Sequence, residues 1–440
     1  MAAAPWGDSP EHAAWLEAEC DRLVRFARGA RLPDGGFGWL DEVGTPMPDE
    51  PVHTWVTARM THVFALARLR GDAEAGALVE HGLAALAGPL RDTAHGGWHP
   101  AVDRAGRPLL GAEQAGGKRL YDHAFVVLAA ASACAAGHSA APALLADALD
   151  TIERRFWEPN RGACAESWDR AWTAGEAYRG ANSNMHTVEA FLAAADATGE
   201  DRWRTRALRI ATRVVHEHAR ANHWRLIEHF DADWTPLFGY NRERPDDPFR
   251  PYGATVGHWF EWSRLLLGLA EALPDPPAWL RTDAAALFAA AVREGWHADG
   301  RAGFVYTLDW DGRPVVRTRM HWVLAEAIAA ASALRRATGE ADYDDWYRAW
   351  WEHADAVFLD REHGSWHHEL DADGRPAATV WRGKPDAYHA VQATLLPRLP
   401  AAPTIAEALR RAARPVDADG FAHEPRGMGA GPAPGRSKGH

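Results

Sequence analysis

A short segment rich in Gly, Trp and Asp recurs six times along this chain, and that recurrence constrains the fold more than any other feature. The copies read GGFGWLDEVGTPMP from Gly35, GGWHPAVDRAGRP from Gly96, GACAESWDRAW from Gly162, HWRLIEHFDADWTP from His223, GFVYTLDWDGRPV from Gly303 and GSWHHELDADGRPA from Gly364. The spacing is about 60 to 80 residues, and self-similarity at a regular spacing marks a repeat architecture. Alternating aromatic or apolar residues followed by Asp-Gly or Ala-Gly and Arg-Pro are hairpin chemistry; the third copy carries this signature most weakly. Between the copies, apolar residues recur at three- and four-residue intervals, the period of helices. This pattern predicts helices near 10–28, 53–70, 73–90, 120–138, 141–156, 184–198, 201–220, 257–272, 277–294, 320–338, 341–359, 385–396 and 403–413.

Connection lengths then fix the arrangement. Links such as RGDA near 70, GHSAAP near 138, LPDPP near 273 and ATGEAD near 337 are short, whereas the alternate links are long and carry the hairpins. Six helical hairpins closed in a ring make an all-α (α/α)6 barrel, with short β-hairpins in the long loops. Those loops gather at one end, over the N-termini of the helices that follow them, and long loops on a rigid scaffold are where function sits. The expected domain is one catalytic barrel over residues 1–415. The Gly/Pro-rich segment 416–440 is expected to be a disordered tail.

Composition narrows the partners. A net charge of −12 on 440 residues argues against nucleic acid and anionic membrane. No basic segment followed by an apolar run opens the chain, and no uncharged stretch reaches the roughly 18 residues of a membrane helix. Cys20, Cys134 and Cys164 form no CxxC and no disulfide framework, which fits a reducing cytoplasm. Twenty-two tryptophans is an unusual number; some belong to the core, and flat aromatic faces also suit the C–H-rich faces of sugar rings.

The first turns of the six post-hairpin helices all carry histidine: His53 and His62, His123, His186, His258, His321 and His389. One such residue is a core histidine; six equivalent placements are expected to converge on a pocket at the barrel mouth. Imidazole moves protons near neutral pH. A helix N-terminus favours neutral imidazole and a developing oxyanion. That pairing suits removal of a proton next to a carbonyl, with Arg59 stabilising the oxyanion or pairing with a pocket carboxylate. His258 and Glu261 share a helix face, so Glu261 is expected to orient His258. A metal is not expected, since there is no HExxH; in HGSWHHE, strand alternation sends His367 and His368 to opposite faces. No GxGxxG or P-loop stands between a strand and a helix, so no nucleotide cofactor is expected. A glycoside hydrolase would need two carboxylates across the pocket, with Glu228, Asp386 and Glu261 as candidates. Asp386, just ahead of AYHA, also reads as a helix cap.

The segments TWVTARMTHVFAL, NSNMHTVEAFLAA, RPYGATVGHWFEWSRLLL, MHWVLAEAIAA and WRGKPDAYHAVQA together resemble the N-acylglucosamine 2-epimerase superfamily, in order, from about residue 10 to about 413. Within it the chain is most similar to the bacterial aldose–ketose isomerase branch acting on D-mannose. The resemblance implies an (α/α)6 barrel and cofactor- and metal-independent proton transfer through histidines. It implies His389 as the base for the C2 proton, His258 as second acid/base held by Glu261, and His186 as the aid to ring opening. It further implies Arg59 at O1/O2, with Trp55, Tyr121, Asn182 and Trp322 lining the sugar site and Lys384 and Asp386 flanking it. The expected reaction interconverts D-mannose and D-fructose, with D-lyxose and D-xylulose as related substrates. The alternatives are a 2-epimerase of the N-acylglucosamine or cellobiose type, a sulfoquinovose isomerase, or a hydrolase on the same barrel. The partner is a monosaccharide, and a homo-oligomer is left open.

Overall fold

The computed structural model describes residues 6–109 and 117–413; the expected tail from 416 lies outside the described residues. The chain runs α1 (Pro10–Ala27), α2 (Thr54–Leu69), α3 (Ala75–Ala87), α4 (Leu120–Ala135), α5 (Ala141–Arg155), α6 (Ala181–Thr198) and α7 (Asp201–Ala211). It continues through α8 (Val256–Ala272), α9 (Trp279–Gly295), α10 (His321–Thr338), α11 (Asp342–His353), α12 (Tyr388–Leu395) and α13 (Ile405–Ala413). The even-numbered helices form an inner ring and α1, α3, α5, α7, α9 and α11 an outer one, as the (α/α)6 pattern requires. α1 packs on α12, so the first outer helix covers the last inner one.

Burial explains which helix goes where. In α2 every residue from Thr54 to Ala67 is buried, so the helix is enclosed on all sides. α5 buries one stripe, Ala141, Leu144, Leu145, Ala148, Leu149, Thr151 and Ile152, and turns its other face outward. Alanines along α4 and α6 let inner helices approach closely. Gly199 and Gly339 end α6 and α10 in left-handed conformations, which glycine adopts without a Cβ clash. α12 starts at Tyr388 rather than near 385, with Ala387 at its N-cap; Asp386 stands just before the cap and accepts the Tyr388 N–H at Oδ1, 2.9 Å away.

The hairpins owe their turns to one repeated side chain. Asp41, Asp103, Asp169, Asp231, Asp309 and Asp371 each accept backbone N–H bonds from within their own turn, the Asx geometry that substitutes for a backbone turn. Five hairpins close on a proline (Leu40↔Pro46, Val102↔Pro108, Phe230↔Pro236, Leu308↔Pro314, Leu370↔Pro376); the third closes as Trp168↔Gly175. Its lack of proline is why its sequence signal is weak although the turn forms.

Adjacent repeats are stitched at the mouth. Residues entering an inner helix pair with the next hairpin: His53↔Ala101, Arg119↔Ser167, Gly180↔His229, Thr255↔Thr307 and Met320↔Glu369. The Lys384 N–H closes the ring on Leu40 O at 2.8 Å. Ion pairs reinforce four joints: the buried Lys118–Asp92 and Arg319–Asp299 at 2.7 Å and Lys384–Asp360 at 2.6 Å, and the partly exposed Arg179–Glu158 at 2.7 Å. No described helix is long and apolar enough to cross a membrane.

Candidate active site

The stitching delivers two sets of side chains to one pocket at the mouth. The first turns of the inner helices supply Trp55, Arg59, Tyr121, Asn182, His186, His258, Glu261, His321, Trp322 and His389, with Asp386 just before α12. The hairpins supply Tyr306 and His368, and Phe249 and Trp381 reach over from the long loops. Phe249 meets the Trp381 ring edge-on at 5.3 Å between centroids, closing the roof.

Two imidazoles are oriented by buried carboxylates. His258 Nδ1 lies 3.0 Å from both oxygens of Glu228, and His389 Nδ1 lies 2.8 Å from Glu326 Oε1. Donation of Nδ1–H to the carboxylate leaves Nε2 of each ring with its lone pair exposed. The Trp322 indole sits between the rings, with centroids 5.2 Å from His258 and 5.5 Å from His389. A Cβ at Gly257 would collide with that indole, so glycine is required there. Burial, reinforced by Arg59, pushes the His389 imidazolium well below the ordinary range. Burial likewise holds His186 and His321 at about 4. All three rings are neutral bases at pH 7.

Arg59 makes the carboxylate pair expected as one of its two roles. Its Nη1–H donates to Asp386 Oδ2 at 3.2 Å and its Nη2–H to the Tyr121 hydroxyl at 2.8 Å, with the guanidinium edge in the pocket. Phe125 and Tyr388 stack against it at 4.4 and 4.7 Å. Against the effect of burial, Arg59 keeps Asp386 ionised.

Below this layer lies a carboxylate cluster on the inner helices. Arg264 Nε donates to Glu326 Oε2 at 3.0 Å, and its Nη2 lies 3.7 Å from Glu261 and 4.0 Å from Glu189. Three carboxylates face one guanidinium in an interior of low polarity, so the cluster must retain protons. Burial, then Glu326, raises Glu261 well above the carboxylate range, and burial raises Glu326 despite Arg264. Burial opposes ionisation of Glu189 too, but His186 and Arg264 hold it low. His186, Glu189 and Glu261, and likewise Glu261, Glu326 and His389, bring donor atoms within 4.8 Å of one another, the spacing of a metal site. Arg264 already stands among those oxygens as the neutralising cation.

Several expectations change. Glu261 does not hold His258: the imidazole turns toward Glu228 on the neighbouring hairpin, and Glu261 Oε1 lies 3.7 Å from His186 Nδ1. The ring of histidines is partial. His53 pairs with Glu50 and lies tilted against Trp39, outside the pocket. His123 is buried behind it, accepting the Trp98 N–H at Nε2 and bonded through Nδ1 to Arg119 O. His62 lies one turn too deep, with Nδ1 2.7 Å from Ser132 Oγ. Lys384 does not face the pocket: its ammonium is buried and donates to Asp360, Glu42 O and Gly364 O, which uses all three protons. As alternation predicts, His368 faces the pocket, stacked on His321 at 3.8 Å, while His367 is only half-buried and lies outside it.

Sequence reasoning missed Glu326, Glu189 and Arg264, and weighed Glu228 only as a hydrolase carboxylate. Three of these had a signal: a lone charge inside an otherwise apolar helix, as in LAEAIAAA, is buried and therefore partnered.

The chain belongs to the N-acylglucosamine 2-epimerase family, whose model matches residues 35–393. It is 57% identical over 405 residues to a D-mannose isomerase of Thermobifida fusca, covering 92% of this chain and 98% of that protein. It is 52% identical over 409 residues to a D-mannose isomerase of Pseudomonas cannabina pv. alisalensis, covering 92% and 97%. A crystal structure of a D-mannose isomerase superposes with a TM-score of 0.82 at 29% identity, covering 90% of this chain and 99% of that one.

Proposed function

We propose that this protein is an aldose–ketose isomerase that interconverts D-mannose and D-fructose, acting also on D-lyxose and D-xylulose. One observation carries the reading: two imidazoles, each oriented through Nδ1 by its own buried carboxylate, flank Trp322 in a roofed pocket beside an arginine. Relatives at 57% and 52% identity bearing the name D-mannose isomerase support the choice of sugar.

In the proposed cycle His186 assists ring opening, and His389 Nε2 takes the proton from C2. Electrons move to the carbonyl oxygen, and the cis-enediol is stabilised by Arg59. His258 handles the proton exchanged between O1 and O2, and His389 returns a proton to C1. Trp55, Tyr121, Asn182 and Trp322 form the walls. The cation that balances the buried carboxylates is Arg264, so the cycle is written without a metal or cofactor, in a cytoplasmic enzyme. The hydrolase alternative loses its carboxylates to other work, since Glu228 is bonded to His258 and Asp386 to Arg59.

The test is proton NMR of the chelator-treated protein with D-mannose in heavy water. D-Fructose deuterated at C1 is the expected product. D-Glucose deuterated at C2 would move the enzyme to the epimerases, and loss of turnover on chelation would overturn the metal-free cycle.

A further inference from the structure

Beneath the catalytic pocket a line of polar side chains, set among apolar ones, runs from the carboxylate cluster toward the opposite end of the barrel. His186 and Glu261 form the pocket floor, and Glu189 and Arg264 stand directly under them at 3.6 to 4.0 Å. Glu189 and Arg264 in turn line an internal cavity of about 30 Å³, together with His62, Ser132 and Thr404. One water needs roughly 10–15 Å³, so the cavity admits one or two. Ser132 and Thr404 also line a second cavity of about 190 Å³ between α4, α6 and α13, which Asp196 and the exposed Arg410 border. Four buried polar atoms along this line have no hydrogen-bond partner: His186 Nδ1, Glu261 Oε1, Arg264 Nη2 and His62 Nε2. Such atoms are costly unless they serve a polar path.

We propose that this axial line is a proton conduit, joining the His389–Glu326 pair to solvent at the base of the barrel through Glu261, Glu189, His62 and Ser132. The inference rests on the isomerase reading. Phe249 and Trp381 lie over the pocket, and the axial line offers a proton a route that does not pass the mouth. A proton taken from C2 by His389 Nε2 leaves Nδ1 for Glu326, whose carboxyl group is within 4.8 Å of Glu261. From the cluster it crosses the cavity water to His62 Nε2. His62 then releases its Nδ1 proton to Ser132 Oγ, 2.7 Å away, and the serine hydroxyl proton passes to basal water. Each hop forms one N–H or O–H bond as it breaks another, and the reverse order brings a solvent proton in. His62 and Ser132 touch no substrate; they are relay residues.

The experiment follows [2-²H]-D-mannose in ordinary water and measures, by NMR, the share of label retained at C1 of early D-fructose. The share is internal to the product, so it does not depend on how much variant folds. The wild type is expected to wash out a substantial part of the label. Ser132→Val, which removes the hydroxyl, and His62→Gln, which keeps polarity but cannot relay, are expected to slow washout by about tenfold or more. Washout equal to wild type in both variants, or full retention in the wild type, overturns the conduit. If label is exchanged at C2 instead, the isomerase reading fails and the same ratio is scored there. Without any turnover, solvent exchange of the low-field imidazole N–H signals under D-mannitol decides: rates equal in wild type and variants overturn the conduit.

Discussion

In the proposed cycle His389 and His258 act as bases because a carboxylate holds the other side of each ring. Glu326 Oε1, 2.8 Å from His389 Nδ1, keeps the proton on Nδ1 and the lone pair on Nε2. His389→Ala is expected to lower kcat by about 10²-fold or more, while circular dichroism and KM stay near wild type. Glu326→Gln is the sharper test. The glutamine amide can donate to Nδ1, which stabilises the tautomer with Nε2 protonated and removes the base without moving the ring. Its kcat should drop with little change in KM; a fully active Glu326→Gln would sink the orienting role. The sequence revealed the histidines because their place in each repeat is periodic. It did not reveal their partners. Glu228 lies 30 residues from His258 and Glu326 63 from His389, and no local pattern encodes such pairings.

The hairpins and inner helices were legible for local reasons. One aspartate folds each turn, and 3.6-residue periodicity marks each helix. How one repeat grips the next was not legible. Lys118, Arg179, Arg319 and Lys384 each reach back to a carboxylate 20 to 26 residues earlier. A lysine in WRGKPD reads equally well as a sugar ligand, and only its three internal acceptors show otherwise. Lys384→Met strips Asp360 of its counter-charge in a buried setting, a loss of about 3–5 kcal/mol. The expected result is a lower Tm by calorimetry with KM for D-mannose close to wild type. A raised KM at unchanged Tm would return Lys384 to the sugar site.

Buried titratable groups couple the stability of the whole barrel to pH in two directions. Burial holds His62, His186 and His321 at about 4 against an ordinary 6.5. Between those values the unfolded chain binds protons that the folded one refuses, so stability falls as pH drops from 6.5 toward 4. Glu261 works the other way: its raised carboxyl favours folding below its ordinary 4.5, and that contribution is lost as pH rises through the folded value. Glu261→Gln cannot ionise. It is therefore expected to exceed the wild-type Tm at about pH 8, with the gap closing toward about pH 4.5. A gap that stays constant with pH would show that Glu261 is ionised in the fold. By itself the sequence determined the barrel and the six places where side chains meet the mouth, because helix period, turn chemistry and repeat spacing are local and recur. Only the closed ring decided which of those side chains face the sugar and which carboxylate each one meets. Those contacts depend on rotations of a few tens of degrees between helices from distant repeats, and burial then sets the charge of whatever has been brought together.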